Sequence, residues 1–455
     1  MHPTALLEAQ TELVHRVLRF EHPADRVVAD FFREQRALGA RDRHQLADGV
    51  FALLRKLPLW RHLASSANGG RGEIDRRLAL LVWQGNAGVL NAALGERERE
   101  WLARCRAFDL AALPERLRHN LPDWLAAPLQ ARLGDEFWEW VRAIDMPAPL
   151  DLRVNALKAD RGEVLERLRT AGFEAAATPH SPLGIRVEGK PALHKTDVFE
   201  QGLVEVQDEG SQLLALLTGA RRGEMVVDFC AGAGGKTLAL GAQMRNTGRL
   251  YAFDVSGHRL AALKPRLQRS GLANVHPAQI AHERDDRVKR LAGKIDRVLV
   301  DAPCSGSGTL RRNPDLKWRQ SEQSVVALAP TQAAILAAAA RLVKPGGRLV
   351  YATCSVLESE GEAIARGFDA ASGSEFARVP AADALERGHV AAADELASDD
   401  DLRLWTHRHA TDGFFAALWE RRLLGCRCPD IWKSARYPIV SRGFSRGASN
   451  RIDVL

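Results

Sequence analysis

The sequence is poor in cysteine. Its 455 residues hold six, at 105, 230, 304, 354, 426 and 428, too few for the disulfide scaffold of a small secreted domain. No Cys-x-x-Cys pair occurs. Cys426 and Cys428 stand one residue apart with no second pair, so no zinc site, and no metal, is expected. No segment reads as long and apolar enough to span a membrane. Near the start, Glu8, Glu12, His15 and Arg16 interrupt the run that a secretory leader needs. No internal repeat is found. Together these absences point to a chain that works in a reducing cytoplasm.

What is present describes a folded protein. Apolar residues make up 46% and charged residues 27%, the balance of a globular chain and not of a disordered one. At roughly 100–200 residues per domain, the length suggests two to four domains. The net charge of +7 favours a polyanionic partner, because Lys and Arg release counterions from phosphates.

The character of the chain changes along its length. Residues 1–140 read as helical, with Leu7, Leu13, Val14, Val17 and Leu18 at helical spacing and a second such run over 42–63, before a Gly/Ser/Asn-rich loop at 65–72. Residues 141–205 read as a small α+β module, with an extended segment at 150–157, a charged helix at 161–170 and short strands near 184–187 and 198–199. From 206 to 422 strands alternate with helices, which implies a parallel sheet covered on both faces, an α/β Rossmann-like domain. Residues 423–455, rich in Arg, Ser and Gly, are expected to be a disordered basic tail.

Three motifs carry chemistry. The first, Asp228-Phe229-Cys230-Ala231-Gly232-Ala233-Gly234-Gly235-Lys236-Thr237, follows a strand and opens a helix. Its small residues let a ligand approach the backbone, and the helix start offers free N–H groups. It is not a Walker A loop, having Cys230 where Gly is needed, nor a full G-x-G-x-x-G, having Thr237 at the last position. Asp254 ends the next strand about 20 residues on, where ribose hydroxyls are held, so a nucleoside-type cofactor fits. The second motif, Asp301-Ala302-Pro303-Cys304, lies at the end of another strand. The third, Thr353-Cys354-Ser355, ends a further one. Two thiols are thus presented at one sheet edge, where ligands bind in open α/β sheets. A thiolate is a strong nucleophile when nearby cations favour it. The basic residues Arg311, Arg312, Lys317 and Arg319 could clamp RNA phosphates, with Trp318 stacking on a base.

These motifs, with Gln207-Asp208-Glu209 and Asp412-Gly413-Phe414-Phe415, resemble those of bacterial RNA 5-methylcytosine methyltransferases, most closely the RsmB/Sun type that acts on small-subunit ribosomal RNA. Leu152-Arg153-Val154-Asn155-Ala156-Leu157-Lys158 resembles the family's RNA-binding module, and residues 1–140 are similar to its NusB-like helical domain. The resemblance implies S-adenosylmethionine (SAM) as methyl donor, RNA as partner and a monomeric chain. It implies that the loop Cys230, Ala231, Gly232, Ala233, Gly234, Gly235 and Lys236 holds the methionine end of SAM. Asp254, with Arg259 beside it, would bind the ribose. Asp285, which Asp286 adjoins, would lie beside the adenine, and Asp301 between cofactor and base. Cys354 would be the nucleophile, and Cys304 would assist product release. On sequence alone two rivals stay open: the same reaction with Cys304 as nucleophile, and a non-catalytic RNA-binding factor that keeps the fold.

Overall fold

The computed structural model describes residues 2–66, 71–83, 87–189 and 191–423. The expected tail therefore lies outside the described residues from position 424 on, as do residues 67–70 of the Gly/Ser/Asn-rich loop.

Helices from Pro3–Val17 to Glu96–Arg106 bury Leu7, Leu13, Val14, Leu53, Leu54 and Leu80 in one core. The run over 42–63 is two helices, Ala40–Arg55 and Leu57–Ala64, because Pro58 opens a new first turn and Lys56 leaves helical geometry at φ −121° and ψ 31°. Two further helices, Asp123–Leu133 and Phe137–Asp145, join a different core: Leu125, Trp140 and Ile144 pack with Leu310, Val356 and Trp405 of the C-terminal domain. The helical part thus continues past residue 140, which lies inside the helix Phe137–Asp145.

The small module is a four-stranded antiparallel sheet in the order Ala175–Ala177, Gly184–Val187, Leu150–Val154, Val204–Val206. The helix Arg161–Thr170 covers it with Val164 and Leu168, and Asp160 caps that helix by accepting from the Glu163 N–H at 2.9 Å. The expected strand at 198–199 is instead part of a one-turn helix, Asp197–Glu200. Thr196 caps it, accepting from the Phe199 N–H at 3.3 Å, and that local bond outweighs the β propensity of Val198 and Phe199.

The C-terminal domain is Rossmann-like, but its sheet is mixed. Strands Val343–Thr353, Ile295–Asp301, Met225–Asp228, Arg249–Asp254 and Val275–Gln279 run parallel in that spatial order. Beyond Val343–Thr353 the sheet continues antiparallel through Phe414–Arg421, with Phe415 opposite Thr353, then Asp401–Leu404 and Ala397–Ser398. The expectation of a wholly parallel sheet is corrected by this flank. A second correction concerns the helix Glu322–Ala340. Its 19 residues are long and apolar enough to cross a membrane by length and composition. Here it packs on the sheet, with Leu336, Ala338 and Ala339 buried in the core that holds Val300 and Leu349.

The basic run after Cys304 is no phosphate clamp. Arg311 and Arg312 are tied to Asp208 and Asp412, and Arg319 pairs with Asp315. Lys317 is fully buried and its ammonium donates to the Arg55 and Asn120 carbonyls at 2.7 and 3.1 Å. The Trp318 indole donates to the Leu54 carbonyl at 2.8 Å. The segment docks the N-terminal helices onto the C-terminal domain. Burial pushes the Lys317 ammonium down to about 8, although Asp145 lies 4.0 Å away. Between that value and the ordinary lysine range the unfolded chain binds the extra proton, so stability rises with pH there. From pH 7 to 10 the wild type should gain roughly 2–3 kcal/mol relative to Lys317→Met. Urea unfolding of both proteins at the two pH values checks it, and a pH-independent difference contradicts it.

Candidate active site

The parallel strands deliver Asp228, Asp254, Asp301 and Thr353 to one edge of the sheet, and a cleft of about 560 Å³ opens there, within the usual size of a small-molecule site. Asp228 is fully buried under the loop. It accepts from the Thr237 hydroxyl at 2.6 Å, and burial pushes its carboxyl up to about 7. Gly232 and Gly234 are left-handed, at φ +56° and +84°; a Cβ on Gly234 would run into the Leu263 side chain. The helix Gly235–Gln243 starts directly after this turn, and of the loop Cys230–Lys236 only Cys230 lines the cleft.

Asp254 joins loop to cleft. Its carboxylate accepts from the Gly232 and Ser256 N–H groups, each at 2.8 Å, and Arg259 approaches it to 3.7 Å from a largely exposed position. Behind the loop, Arg266 donates to the Ala233 carbonyl at 2.6 Å, and the buried Arg153 donates to that of Gly235 at 2.7 Å. Arg153 belongs to the small module, so that module buttresses the Gly-rich loop directly. Sequence reasoning missed both arginines; a lone Arg in an alternating strand gives no sign that it points at another domain.

The ammonium of Lys236 pairs with Asp301 at 2.7 Å. Burial alone would lower this ammonium; Asp301 outweighs burial and holds it up. Cys230 lines the cleft, and burial pushes its thiol well up. Cys304 and Cys354 stand with their sulfurs 3.3 Å apart at the cleft's inner end.

Asp285 is not among the residues that line this cleft. Its carboxylate caps the short helix Asp286–Lys289, accepting from the Arg287 N–H at 2.9 Å and the Ala281 N–H at 3.0 Å. Asp286 pairs with Lys289 at the surface. The wall at that point is instead Ile280, Ala281, His282 and Glu283. A cap needs a short acid just before a helix, which is why Asp285 is spent on the turn.

These residues fit SAM. The helix start suits a carboxylate, and Asp254 keeps lone pairs for ribose hydroxyls. Val255 and Ile335 offer apolar faces to a base, and the thiols and Asp301 line the same cleft. Asp254→Ala should weaken SAM binding by roughly 1–3 kcal/mol, the usual cost of a lost buried hydrogen-bond partner. Calorimetry on the folded variant measures it, and an unchanged affinity would remove Asp254 from the site.

Comparison with known proteins agrees with this geometry. Residues 215–420 match the family described as 16S rRNA methyltransferase RsmB/F. Residues 121–194 match its ferredoxin-like domain, a match that takes in the two helices ending at Asp145. A probable ribosomal RNA small subunit methyltransferase B of Synechocystis is 35% identical over 302 residues, 66% of this chain and 66% of that one. The protein of that name in Bacillus subtilis is 29% identical over 412 residues, covering 89% and 88%. The chain thus spans about two thirds of the first relative and most of the second. A methyltransferase homologue from Pyrococcus horikoshii superposes with a TM-score of 0.58 at 28% identity, over 70% of this chain and 100% of that one.

Proposed function

Since the chain belongs to the RsmB/F family of 16S rRNA methyltransferases, with SAM as methyl donor, we propose that it methylates carbon 5 of a cytosine in 16S rRNA through a covalent Cys354–carbon 6 adduct. It does so in the cytoplasm and as a monomer. The observation that carries this reading is the pair of thiols 3.3 Å apart at the inner end of the cofactor cleft. Binding and strand scission need no such pair.

Carbon 5 of cytosine is a weak nucleophile. The Cys354 thiolate gives its electron pair to carbon 6, a sulfur–carbon bond forms, and the ring's double-bond electrons become available at carbon 5. SAM, when bound, supplies the electrophilic methyl group. Charge that builds near ring N3 needs a donor, and Asp301, oriented by Lys236, recruits that proton when the base binds. The carbon 5 proton then passes to a base, the carbon 5–carbon 6 double bond re-forms, and Cys354 leaves with its electron pair. Cys304, in contact with Cys354, assists that release by giving its proton to the departing sulfur; a positioned acid or base contributes roughly 10²–10⁴ in rate. The cytosine must be unstacked to reach the thiols.

The N-terminal helices and the small module would supply RNA affinity and target choice. Bisulfite sequencing of 16S rRNA after incubation with the protein and SAM tests the proposal. One protected cytosine is expected, and methyl incorporation with every cytosine still converted would exclude carbon 5.

A further inference from the structure

We propose that Glu360 is a positioning residue of this reaction: its carboxylate pins the Cys304 and Cys354 loops side by side and sets its negative charge beside Cys304.

Glu360 is fully buried. One carboxylate oxygen accepts from the Ser305 N–H at 2.8 Å and from the Gln332 amide at 3.2 Å. The other accepts from the Ser305 hydroxyl at 2.5 Å and the Ser355 hydroxyl at 2.6 Å. Four donors and no acceptor face it, the pattern of an ionised carboxylate. Ser305 follows Cys304 and Ser355 follows Cys354, so one group holds both thiol loops. Ser307 closes the clasp, 3.0 Å from the Ser355 hydroxyl and accepting from the Val356 N–H at 3.1 Å. The Tyr351 hydroxyl anchors the turn, donating to the Glu360 carbonyl at 2.8 Å. A fully buried charge is costly unless it is hydrogen-bonded. Neutral side chains would serve for packing alone, so the charge itself calls for a use.

That use follows from where the charges lie. Lys236, paired with Asp301, is the cation whose charge acts on Cys354. Glu360 is the anion that acts on Cys304. The other titratable groups around the pair are the buried Tyr351 phenol and the Cys230 thiol. Once the pair has lost one proton to solvent, a cation on one side and an anion on the other leave the remaining proton on Cys304. The Cys304 thiol is pushed well up, first by its hydrogen bond to Cys354, then by burial, then by the charges of Cys354 and Glu360. The anion beside Cys304 thereby keeps the proton on that sulfur.

For its bearing on catalysis the inference rests on the two-thiol reading above. The test uses neither RNA nor SAM, so it can fail independently of that reading. The full-length protein is alkylated with iodoacetamide between pH 6 and 11, and each thiol is followed by peptide mapping. In Glu360→Gln, the midpoint for Cys304 should fall by about one unit, and the Cys354-to-Cys304 rate ratio at pH 7 should drop about tenfold. Glu360→Asp, which keeps the charge, should restore most of that ratio. A purely structural role predicts a lower melting temperature with the ratio unchanged, and that result overturns the proposal. Should Glu360→Gln fail to fold, the midpoints are compared in Cys304→Ser and Cys354→Ser. Cys304 alone must then titrate above Cys354 alone, and equal or reversed midpoints overturn the proposal as well.

Discussion

Cys354→Ala is expected to abolish methyl transfer and the covalent RNA adduct together, whereas Cys304→Ala is expected to leave an adduct that accumulates. Cys304, the other thiol at the cleft's inner end, keeps its proton through burial and the anionic Glu360, so the loss should reach roughly four to six orders of magnitude, as for other enzymes stripped of their nucleophile. In Cys304→Ala the attack and the methyl transfer can still occur. Release is what fails, because the group in contact with the Cys354 sulfur is gone. The product stays attached, and a denaturing gel should show a protein–RNA band that depends on SAM and disappears in the double variant. A band that survives Cys354→Ala and vanishes in Cys304→Ala would exchange the two roles. The burial and the anionic neighbour that push the Cys304 thiol up argue against that exchange.

Much of this site could be read from the residues, because its parts lie where short apolar runs stop. The runs ending at Asp228, Asp254, Asp301 and Thr353 became parallel strands, and their last residues share one edge because parallel strands end together. What could not be read depends on partners far along the chain. Arg311 and Arg312 look like RNA ligands until Asp208, about a hundred residues before, and Asp412, about a hundred after, are seen against them. A charge run carries no mark of whether it is solvated or paired. Asp285 was misplaced because an acid near the right position serves equally well as a helix cap. The antiparallel flank escaped notice although Phe414–Trp419 is an apolar run. Periodicity shows that such a strand is buried, not which neighbour it pairs with or in which direction. Glu360 gave a fainter sign, an acid six residues beyond Cys354 in a turn that otherwise looks solvated.

The charge cluster that displaced the RNA-clamp reading should be the point where this fold breaks most easily. Asp412 is buried, and it accepts from Arg311 at 2.7 Å and from Arg312 at 2.6 Å. Asp208 accepts from the same two guanidiniums at 3.2 and 2.7 Å. Two cations thus face two anions, and the cluster is neutral. Burial alone would lower Arg312, but Asp412 and Asp208 together hold it above its ordinary value. Asp412→Ala leaves the buried Arg311 and the partly exposed Arg312 on one carboxylate, and breaking a buried pair from one side costs about 3–5 kcal/mol. Urea unfolding should show that loss. Asp412→Ala with Arg312→Ala restores one cation to one anion, and should recover part of it despite removing more contacts. The damage should also reach the chemistry. The Gly413 N–H donates to the Gly308 carbonyl at 2.8 Å, and the Gly308 N–H donates to that of Cys354 at 2.9 Å. Strand start, Cys304 loop and Cys354 are therefore joined by two consecutive backbone hydrogen bonds, so a shift at Asp412 should move the sulfurs. A folded Asp412→Ala protein within about 1 kcal/mol of wild type, with full activity, would mean that the cluster neither stabilises the fold nor positions the thiols.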